Sequence, residues 1–161
     1  VTDHAENAAV HNVERIVGKI KEKYFIDAIN EYCKRLQKYT KLKIIELPDE
    51  GLVEKTKAIN IEGENILKHL DSKDYIISMD IAGKQMSSID FAKKIDGISQ
   101  FNSNITFIIG GSYGLSDKIK DLSNFKMSFS EMTFPHQLFR VILLEQIYRS
   151  YKINNNEQYH K

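Results

Sequence analysis

Short apolar runs that alternate with helical patterns constrain the fold of this chain more than any other feature of its sequence. Three nearly continuous runs, Tyr75–Ile81, Ile105–Ile109 and Phe125–Phe129, are typical of inner strands that are covered on both faces. Segments whose apolar residues recur at helical spacing lie between them. This alternation predicts an α/β fold, with a mostly parallel sheet of about five strands and helices on both faces.

The other elements follow from the same two periods. The segment Val13–Val17 is a poor candidate for the first strand, because two charged residues interrupt its apolar side chains. We further expect a strand over Lys41–Leu47, which Pro48 ends. Long helices are predicted over Glu22–Lys38, over Lys55–Leu70, and from Pro135, at the first helical position, to about Tyr151. Two shorter helices are expected to begin at Ser87 or Ser88 and at Ser116-Asp117.

Composition limits the class of protein. The chain has 161 residues, which suits one domain over 1–161, and a net charge of +1, so any surface for nucleic acid must be local. The one cysteine, Cys33, leaves no intrachain disulfide and no cysteine cluster for zinc, and we expect no metal site. We find no apolar run of about 20 residues for a membrane span and no secretory pattern, and therefore expect a cytoplasmic protein.

Three predicted strand ends carry loops of unusual turn content, which are Ala82–Lys84, Gly110–Gly114 and Ser130–Phe134. Ligands of open α/β sheets bind at the carboxyl ends of strands. Glycines after a strand are also ordinary turn residues, and G-G-x-x-G fits neither the dinucleotide fingerprint nor a P-loop. Taken together, the three loops favour a ligand site over purely structural turns, without naming the ligand.

Several segments carry a family resemblance: VGKIKEKY, EYCKRLQKYTKLKIIELPDE, EGENIL, MDIAGK, FIIGGSYGL, SFSEMTFPHQLFRVILLEQIYRSYKI and the terminal YHK. On these segments, the chain from Gly18 to Lys161 resembles the RlmH family, SPOUT-class methyltransferases of large-subunit ribosomal RNA. The resemblance implies a C-terminal trefoil knot, a homodimer and S-adenosylmethionine (SAM) as cofactor. It implies methylation at N3 of a pseudouridine in a stem-loop of 23S rRNA, on the assembled ribosome.

The resemblance also implies which residues contact the cofactor. They are Met79 at the end of the third predicted strand, Gly110 in the glycine-rich loop, and the run Phe129, Ser130, Glu131, Met132, Thr133 and Phe134. Apolar side chains and exposed backbone groups suit adenine, which is flat and weakly polar. The family commonly has leucine where Met79 stands, and Met79 is alternatively a plain core residue of the strand.

The candidates for chemistry lie at the C-terminal end. Our hypothesis is that His160 and Tyr159 close over the target base from the tail while Arg140 or Arg149 stabilises its charge, and that in a dimer they come from the partner chain. Histidine suits proton transfer near pH 7, and arginine suits phosphate or a developing oxyanion. Alternatively, the tail is a surface strand or a disordered end. His136 is a further candidate, or a structural group in the first helical turn.

Two basic clusters are candidates for contacts with RNA phosphates. They are Lys19, Lys21 and Lys23, and Lys34, Arg35 and Lys38. A solvated helix face is the more common explanation for such clusters.

The N-terminus departs from the family, whose members begin with a short apolar strand ending in V-G-K. Here residues 1–17 form an atypical, polar lead, so we expect a first strand that is poorly formed, displaced or differently registered. Two other functional classes stay open. One is a SAM- or nucleotide-binding dimer without catalysis, and the other is a dinucleotide-binding domain, which the missing G-x-G-x-x-G disfavours.

Overall fold

The computed structural model describes residues 22–47, 54–110 and 113–161, and the backbone of residues 11–17. Several sequence predictions fall outside these ranges: those for residues 1–10, Lys19, Lys21, Pro48, Gly111 and Ser112. The described elements, in chain order, are β1 (His11–Val17), α1 (Lys23–Leu36), β2 (Lys43–Leu47), α2 (Lys55–Leu67), β3 (Tyr75–Lys84), α3 (Ser88–Ser99), β4 (Asn104–Ile109), α4 (Asp117–Leu122), β5 (Phe125–Met127) and α5 (His136–Asn154).

The five described strands form one parallel sheet in the order β2-β1-β4-β3-β5. Alternate residues of each strand point to opposite faces of the sheet, and helices pack against both faces. One core packs residues such as Ile77 and Phe107 against α1, α3 and α5. The other packs Ile76 and Ile108 against α2 and α4. The predicted fold class is confirmed, whereas strand order alone does not decide how the chain is threaded, and the knot stays a prediction.

The first strand is formed, in spite of its charged residues. β1 lies between β2 and β4 and pairs with both, from Val13 opposite Lys43 to Val17 opposite Leu47 on one side and from His11 opposite Asn104 to Ile16 opposite Ile109 on the other. The expectation of a poorly formed strand is therefore wrong for these residues, whereas a strand that is displaced or differently registered relative to the family stays a prediction.

Side-chain caps begin three helices where the sequence supplies an oxygen. The Ser87 hydroxyl accepts a hydrogen bond from the backbone N–H of Asp90, and Ser116 accepts one from Ile119. The Glu54 carboxylate accepts from two N–H groups at the start of α2. These backbone hydrogen bonds hold the pKa of Glu54 below its usual value.

The strands that carry the site end differently from their predicted bounds. β3 continues to Lys84, so Ala82–Lys84 is not a loop, because Lys84 pairs with Met127 and its carbonyl accepts a hydrogen bond from the N–H of Ser128. β5 ends at Met127 rather than Phe129. Other bounds shift by a few residues: α1 begins one residue later and ends at Leu36, α2 ends at Leu67, β2 begins at Lys43, and α5 begins after Pro135 and continues to Asn154.

Candidate functional site

A cleft of about 170 Å³ opens at the carboxyl ends of β3, β4 and β5. Its lining includes seven of the eight residues predicted for cofactor contact, namely Met79, Gly110, Phe129, Ser130, Met132, Thr133 and Phe134. Glu131, the eighth, is exposed and does not line the cleft. The fold therefore brings together strand ends that are far apart in sequence. That these residues bind a cofactor stays a prediction.

Two serines shape the segment after β5. The Ser128 hydroxyl donates a hydrogen bond to the carbonyl of Ser130 (3.0 Å) and accepts one from its N–H (3.2 Å). The Ser130 hydroxyl then accepts from the N–H of Met132 at 3.0 Å. Serine hydroxyls that bond nearby backbone groups turn a chain without glycine. This explains why β5 ends early and how its loop wraps around the cleft.

Three phenylalanines form one wall of the cleft. The Phe139 ring, on the first turn of α5, lies 5.0 Å from that of Phe129 and 6.3 Å from that of Phe134, measured between ring centroids. Tilted aromatic pairs at such distances are favourable. Because two of the rings come from the loop and one from α5, the helix fixes the loop against the cleft.

The glycines of the second loop have a structural role of their own. A Cβ atom at Gly110 would lie 2.7 Å from the carbonyl carbon of Gly114, and Gly114 has a φ of +88°. The loop therefore closes on itself, which demands glycine at both ends. Both residues also line the cleft, so this packing and a ligand contact are compatible.

Sequence reasoning did not select Asp80, which also lines the cleft. One carboxylate oxygen accepts a hydrogen bond from the N–H of Ala82 at 3.1 Å, and the other lies 3.7 Å from the Lys120 ammonium. Its position directly after Met79, near the predicted strand end at Ile81, was the available signal. His136, at the start of α5, lines the cleft as well, and it is half-buried.

The C-terminal tail is docked on α5. The Tyr159 hydroxyl donates to Glu145 at 3.0 Å, and the Arg149 guanidinium binds both oxygens of the same carboxylate. Arg149 also donates to Nδ1 of His160 at 3.2 Å. Three of the four predicted catalytic residues therefore meet around Glu145, and we call this group the tail cluster.

The turn that directs the tail follows α5. Asn156 has a left-handed backbone with a φ of +55°. Its N–H bonds the carbonyl of Ile153, and the N–H of Glu157 bonds that of Lys152, which is a Schellman motif with asparagine in place of glycine. Glu157 then accepts hydrogen bonds from Lys152 and Tyr39, both at 2.8 Å. The alternative of a disordered end does not apply to these residues.

Burial raises the pKa of the Tyr159 phenol, and its hydrogen bond to Glu145 adds to the increase. The phenol therefore stays protonated at neutral pH and acts as a hydrogen-bond donor rather than as a base.

Arg140, the fourth predicted catalytic residue, belongs to neither group. Its side chain is only 1% exposed, and its Nη1 lies 3.7 Å from a carboxylate oxygen of Glu46 on β2. Burial beside β2 indicates a structural role for Arg140. The structure does not place it with the cleft lining or with the tail cluster.

The cleft and the tail cluster are separated along α5. Phe139 lines the cleft and Arg149 belongs to the tail cluster, ten residues further along the helix. At a rise of about 1.5 Å per residue, this spacing corresponds to about 15 Å. Within one chain the two groups are therefore distinct.

In the described part of the chain, no helix is long and apolar enough to cross a membrane. Residues 22–47, 54–110 and 113–161 also contain no group of three or more His, Cys, Asp or Glu side chains arranged to hold a metal ion.

Comparison with known proteins places the chain in a family. The family model described as "Predicted SPOUT methyltransferase" matches residues 14–160. The chain is 58% identical to the putative ribosomal RNA large subunit methyltransferase H of Methanococcus maripaludis, over 90% of this chain and 96% of the relative. It is 55% identical, with the same coverage, to the ribosomal RNA large subunit methyltransferase H of Clostridium acetobutylicum.

Among solved structures, the SpoU methyltransferase AviRb from Streptomyces viridochromogenes in complex with AdoMet shares 12% identity and a TM-score of 0.46, over 90% of this chain and 58% of that one. This likeness is too distant to carry an argument, whereas the family match and the two relatives each span nearly the whole chain. The chain belongs to the SPOUT methyltransferases and, within them, to the RlmH family of ribosomal RNA large subunit methyltransferases.

Proposed function

We propose that this protein is a SAM-dependent methyltransferase that acts in the cytoplasm, as a homodimer, on N3 of a pseudouridine in 23S rRNA of the assembled ribosome. One observation carries the proposal: the fold gathers seven of the eight residues implied for cofactor contact around one cleft. Membership of a family whose named relatives are ribosomal RNA large subunit methyltransferases supports the class of reaction.

The residues of the cleft fit the adenosine part of SAM. The three phenylalanines and Met79 would supply apolar walls for the purine, and Gly110, which has no side chain, lets its polar edge approach the backbone. Asp80 stands at the same cleft as an acceptor for ribose hydroxyls. A volume of about 170 Å³ is small for the whole cofactor, and the exposed side chains of Ile81 and Met132 beside the cleft would cover the remainder.

When bound, SAM supplies an electrophilic methyl group, and the protein has to align the base and assist loss of its N3 proton. Arg149, held by both oxygens of Glu145, suits negative charge that develops on a base carbonyl oxygen. Tyr159 donates a hydrogen bond. Arginine has no acceptor, so Nδ1 of His160 accepts from Arg149, and a neutral His160 carries its proton on Nε2. We assign Nδ1 of His160 as the acceptor of the N3 proton of the base, in a state where its contact with Arg149 has opened.

Because about 15 Å of helix separates the tail cluster from the cleft of its own chain, we propose that each tail serves the cleft of the partner subunit. The site then depends on both chains, which gives the homodimer a catalytic reason.

The test is transfer of labelled methyl from SAM to ribosomes that lack the modification, with the intact chain and with a chain truncated after Gln158. We expect the truncated chain to bind SAM with unchanged affinity in calorimetry and to lose at least 100-fold in turnover. Turnover at the level of the intact chain would refute the role of the tail. If the intact chain binds SAM and transfers no methyl group, the non-catalytic SAM-binding dimer is the correct class.

A mixed dimer tests the shared site. The truncated chain is co-expressed with a chain whose cleft is damaged by Phe139→Ala, and heterodimers are purified on two different tags. We expect the heterodimer to regain one working site, while each homodimer stays inactive. No recovery in the heterodimer would show that each tail serves its own chain. Calorimetry with S-adenosylhomocysteine and NAD separates these proposals from a dinucleotide-binding domain.

A further inference from the structure

A second cavity, of about 280 Å³, lies between α1 and α5, apart from the cleft. We propose that this groove binds phosphates of the RNA backbone that flank the target base, an inference that rests on the proposed function. Four cations and two tyrosines form most of its lining: Lys34, Arg35, Lys38, Lys152, Tyr39 and Tyr148.

Positive charge is concentrated at this groove. Its lining contains four cations and one carboxylate, Glu31, and Glu157 reaches in from the tail. The local net charge is therefore +2, whereas the whole chain carries only +1. The groove therefore attracts an anion, although the whole chain is close to neutral. This is the local surface that the small total charge requires of an RNA-binding protein.

The cations differ in how firmly they are held. Lys152 Nζ lies 2.8 Å from Glu157, its side chain is 16% exposed, and it also faces the rings of Tyr39 and Tyr148. Lys38 is 68% exposed and only 3.9 Å from the same carboxylate. Lys34 lies in the last turn of α1 and Lys38 follows the end of the helix, and both line the groove. The groove thus pairs a fixed inner cation with outer cations that face solvent.

Arg35, which lines the groove beside these lysines, contacts two aromatic rings. Its Nε donates to Glu31 at 3.1 Å, and its guanidinium carbon lies 5.3 Å from the centroid of Tyr32 and 5.5 Å from that of Tyr148. Stacking restrains a guanidinium, whose remaining N–H groups suit the paired oxygens of a phosphate.

The groove adjoins the tail cluster. The ring of Tyr148, which lines the groove, packs edge-on against that of Tyr159 at 5.1 Å, and Arg149 lies 4.7 Å from the Tyr159 ring. A base held by the tail cluster carries phosphates on both sides, so the neighbouring backbone is within reach of the groove. Phosphate contacts set the register of a nucleic acid without reading its sequence. We therefore assign the groove a positioning role for RNA rather than a role in the reaction.

The test compares two charge reversals of equal size. Lys34→Glu with Lys38→Glu changes the groove, and Lys55→Glu with Lys57→Glu changes exposed lysines in the first turn of α2, which packs on the opposite face of the sheet. Binding to intact ribosomes is measured at several salt concentrations. The groove variant is expected to bind at least 10-fold more weakly at low salt, with a slope of log K against log salt that is smaller by about 1 to 2. The control is expected to keep the wild-type slope.

A second pair, Lys34→Gln with Lys38→Gln, avoids placing negative charge at the C-terminal end of α1 and guards against misfolding. Calorimetry with SAM checks that the cleft is intact. Wild-type ribosome affinity and slope in both groove variants would overturn the inference. Binding to polyglutamate is measured as well. If the groove variants lose binding to polyglutamate and keep wild-type binding to ribosomes, the inference is overturned in favour of an acidic peptide as the ligand of the groove.

The two proposals fail separately. If the wild-type chain methylates ribosomes and the groove variants match it in binding, only the groove inference is wrong. If the wild-type chain transfers no methyl group, the proposed function fails, and the salt dependence of binding to isolated 23S rRNA still decides whether the groove holds RNA.

Discussion

Gly83→Ala tests the close contact between β3 and β5 that supports the cleft. Both Met79 and Lys84 pair with Met127, so β3 is irregular between these two residues, and Gly83 lies in the irregular part. A Cβ atom at Gly83 would lie 2.7 Å from the carbonyl carbon of Lys126 and from the nitrogen of Met127, whereas ordinary contacts begin at 3.4 Å. The backbone of one strand must therefore move by about 0.7 Å, the difference between these distances.

The atoms in the way belong to backbone, so no side-chain rotation relieves the overlap. Overpacking of this kind costs about 1–3 kcal/mol, and we expect the free energy of unfolding to fall by that amount. Met127 and Ser128 line the cleft, so the same shift displaces its wall. Because misplacement by about 1 Å can cost on the order of 100-fold in rate, we expect methyl transfer to fall by about 10- to 100-fold.

Gly97→Ala is the matched control. Gly97 lies inside α3, and an added Cβ there meets no atom within 4 Å. Alanine in a helix interior is favoured over glycine by about 0.5–1 kcal/mol, so this variant is expected to be more stable than the wild type. Guanidinium denaturation measures both variants, and SAM calorimetry reports on the cleft. The reasoning is refuted if Gly83→Ala unfolds at the wild-type denaturant concentration and binds SAM with wild-type affinity.

Three further predictions concern the tail and the cleft wall. Asn156 has a φ of +55°, which alanine tolerates less well than asparagine or glycine. Asn156→Ala should therefore lower the free energy of unfolding by about 1 kcal/mol, while Asn156→Gly should leave it unchanged. Equal melting temperatures of the two variants would contradict this. Hydrogen bonds from Lys152, and secondarily from Tyr39, lower the pKa of Glu157, so its contribution is present above the ordinary glutamate pKa and is lost as the pH falls through the folded value. The wild type should therefore melt above Glu157→Gln at pH 7, and the difference should shrink as the pH falls below about 4.3, the ordinary glutamate pKa, and vanish below the lowered pKa of the folded state. A difference that grows with acid would refute the assignment. Phe139→Ala should lower the free energy of unfolding by about 2 kcal/mol, less than for a fully buried phenylalanine, and should weaken SAM binding; unchanged SAM affinity would remove Phe139 from the site.

Local sequence pattern predicted the elements that carry the site better than it predicted their ends. The apolar runs of β3, β4 and β5 and the capping serines of α3 and α4 were readable, because each depends on residues a few positions apart. The continuation of β3 to Lys84 was not readable, because it depends on pairing with Met127, more than forty residues later. β1 shows the same limit, since its partners on both sides decide that a strand with charged residues forms.

The candidate site divides in the same way. Strand ends followed by turn residues pointed to the cleft, and the family resemblance supplied its residues, but nothing local indicated that Arg140 is buried beside Glu46. Asn156 sits among three asparagines, and the pattern does not show that this one takes the left-handed conformation that turns the tail onto α5. Glu145, which holds three of the tail contacts, looked like one more polar residue of a helix.

By itself, the sequence determined the alternation of strands and helices, the parallel sheet that follows from it, the absence of a strong overall charge and, through its motifs, the family. Only the tertiary structure decided which strand ends share a cleft, where the tail docks and which lysines face a common groove. The physical reason is range. Periodicity and capping arise from neighbours in the chain, whereas a pair such as Tyr39 and Glu157, 118 residues apart, meets only when the whole sheet and its helices are packed.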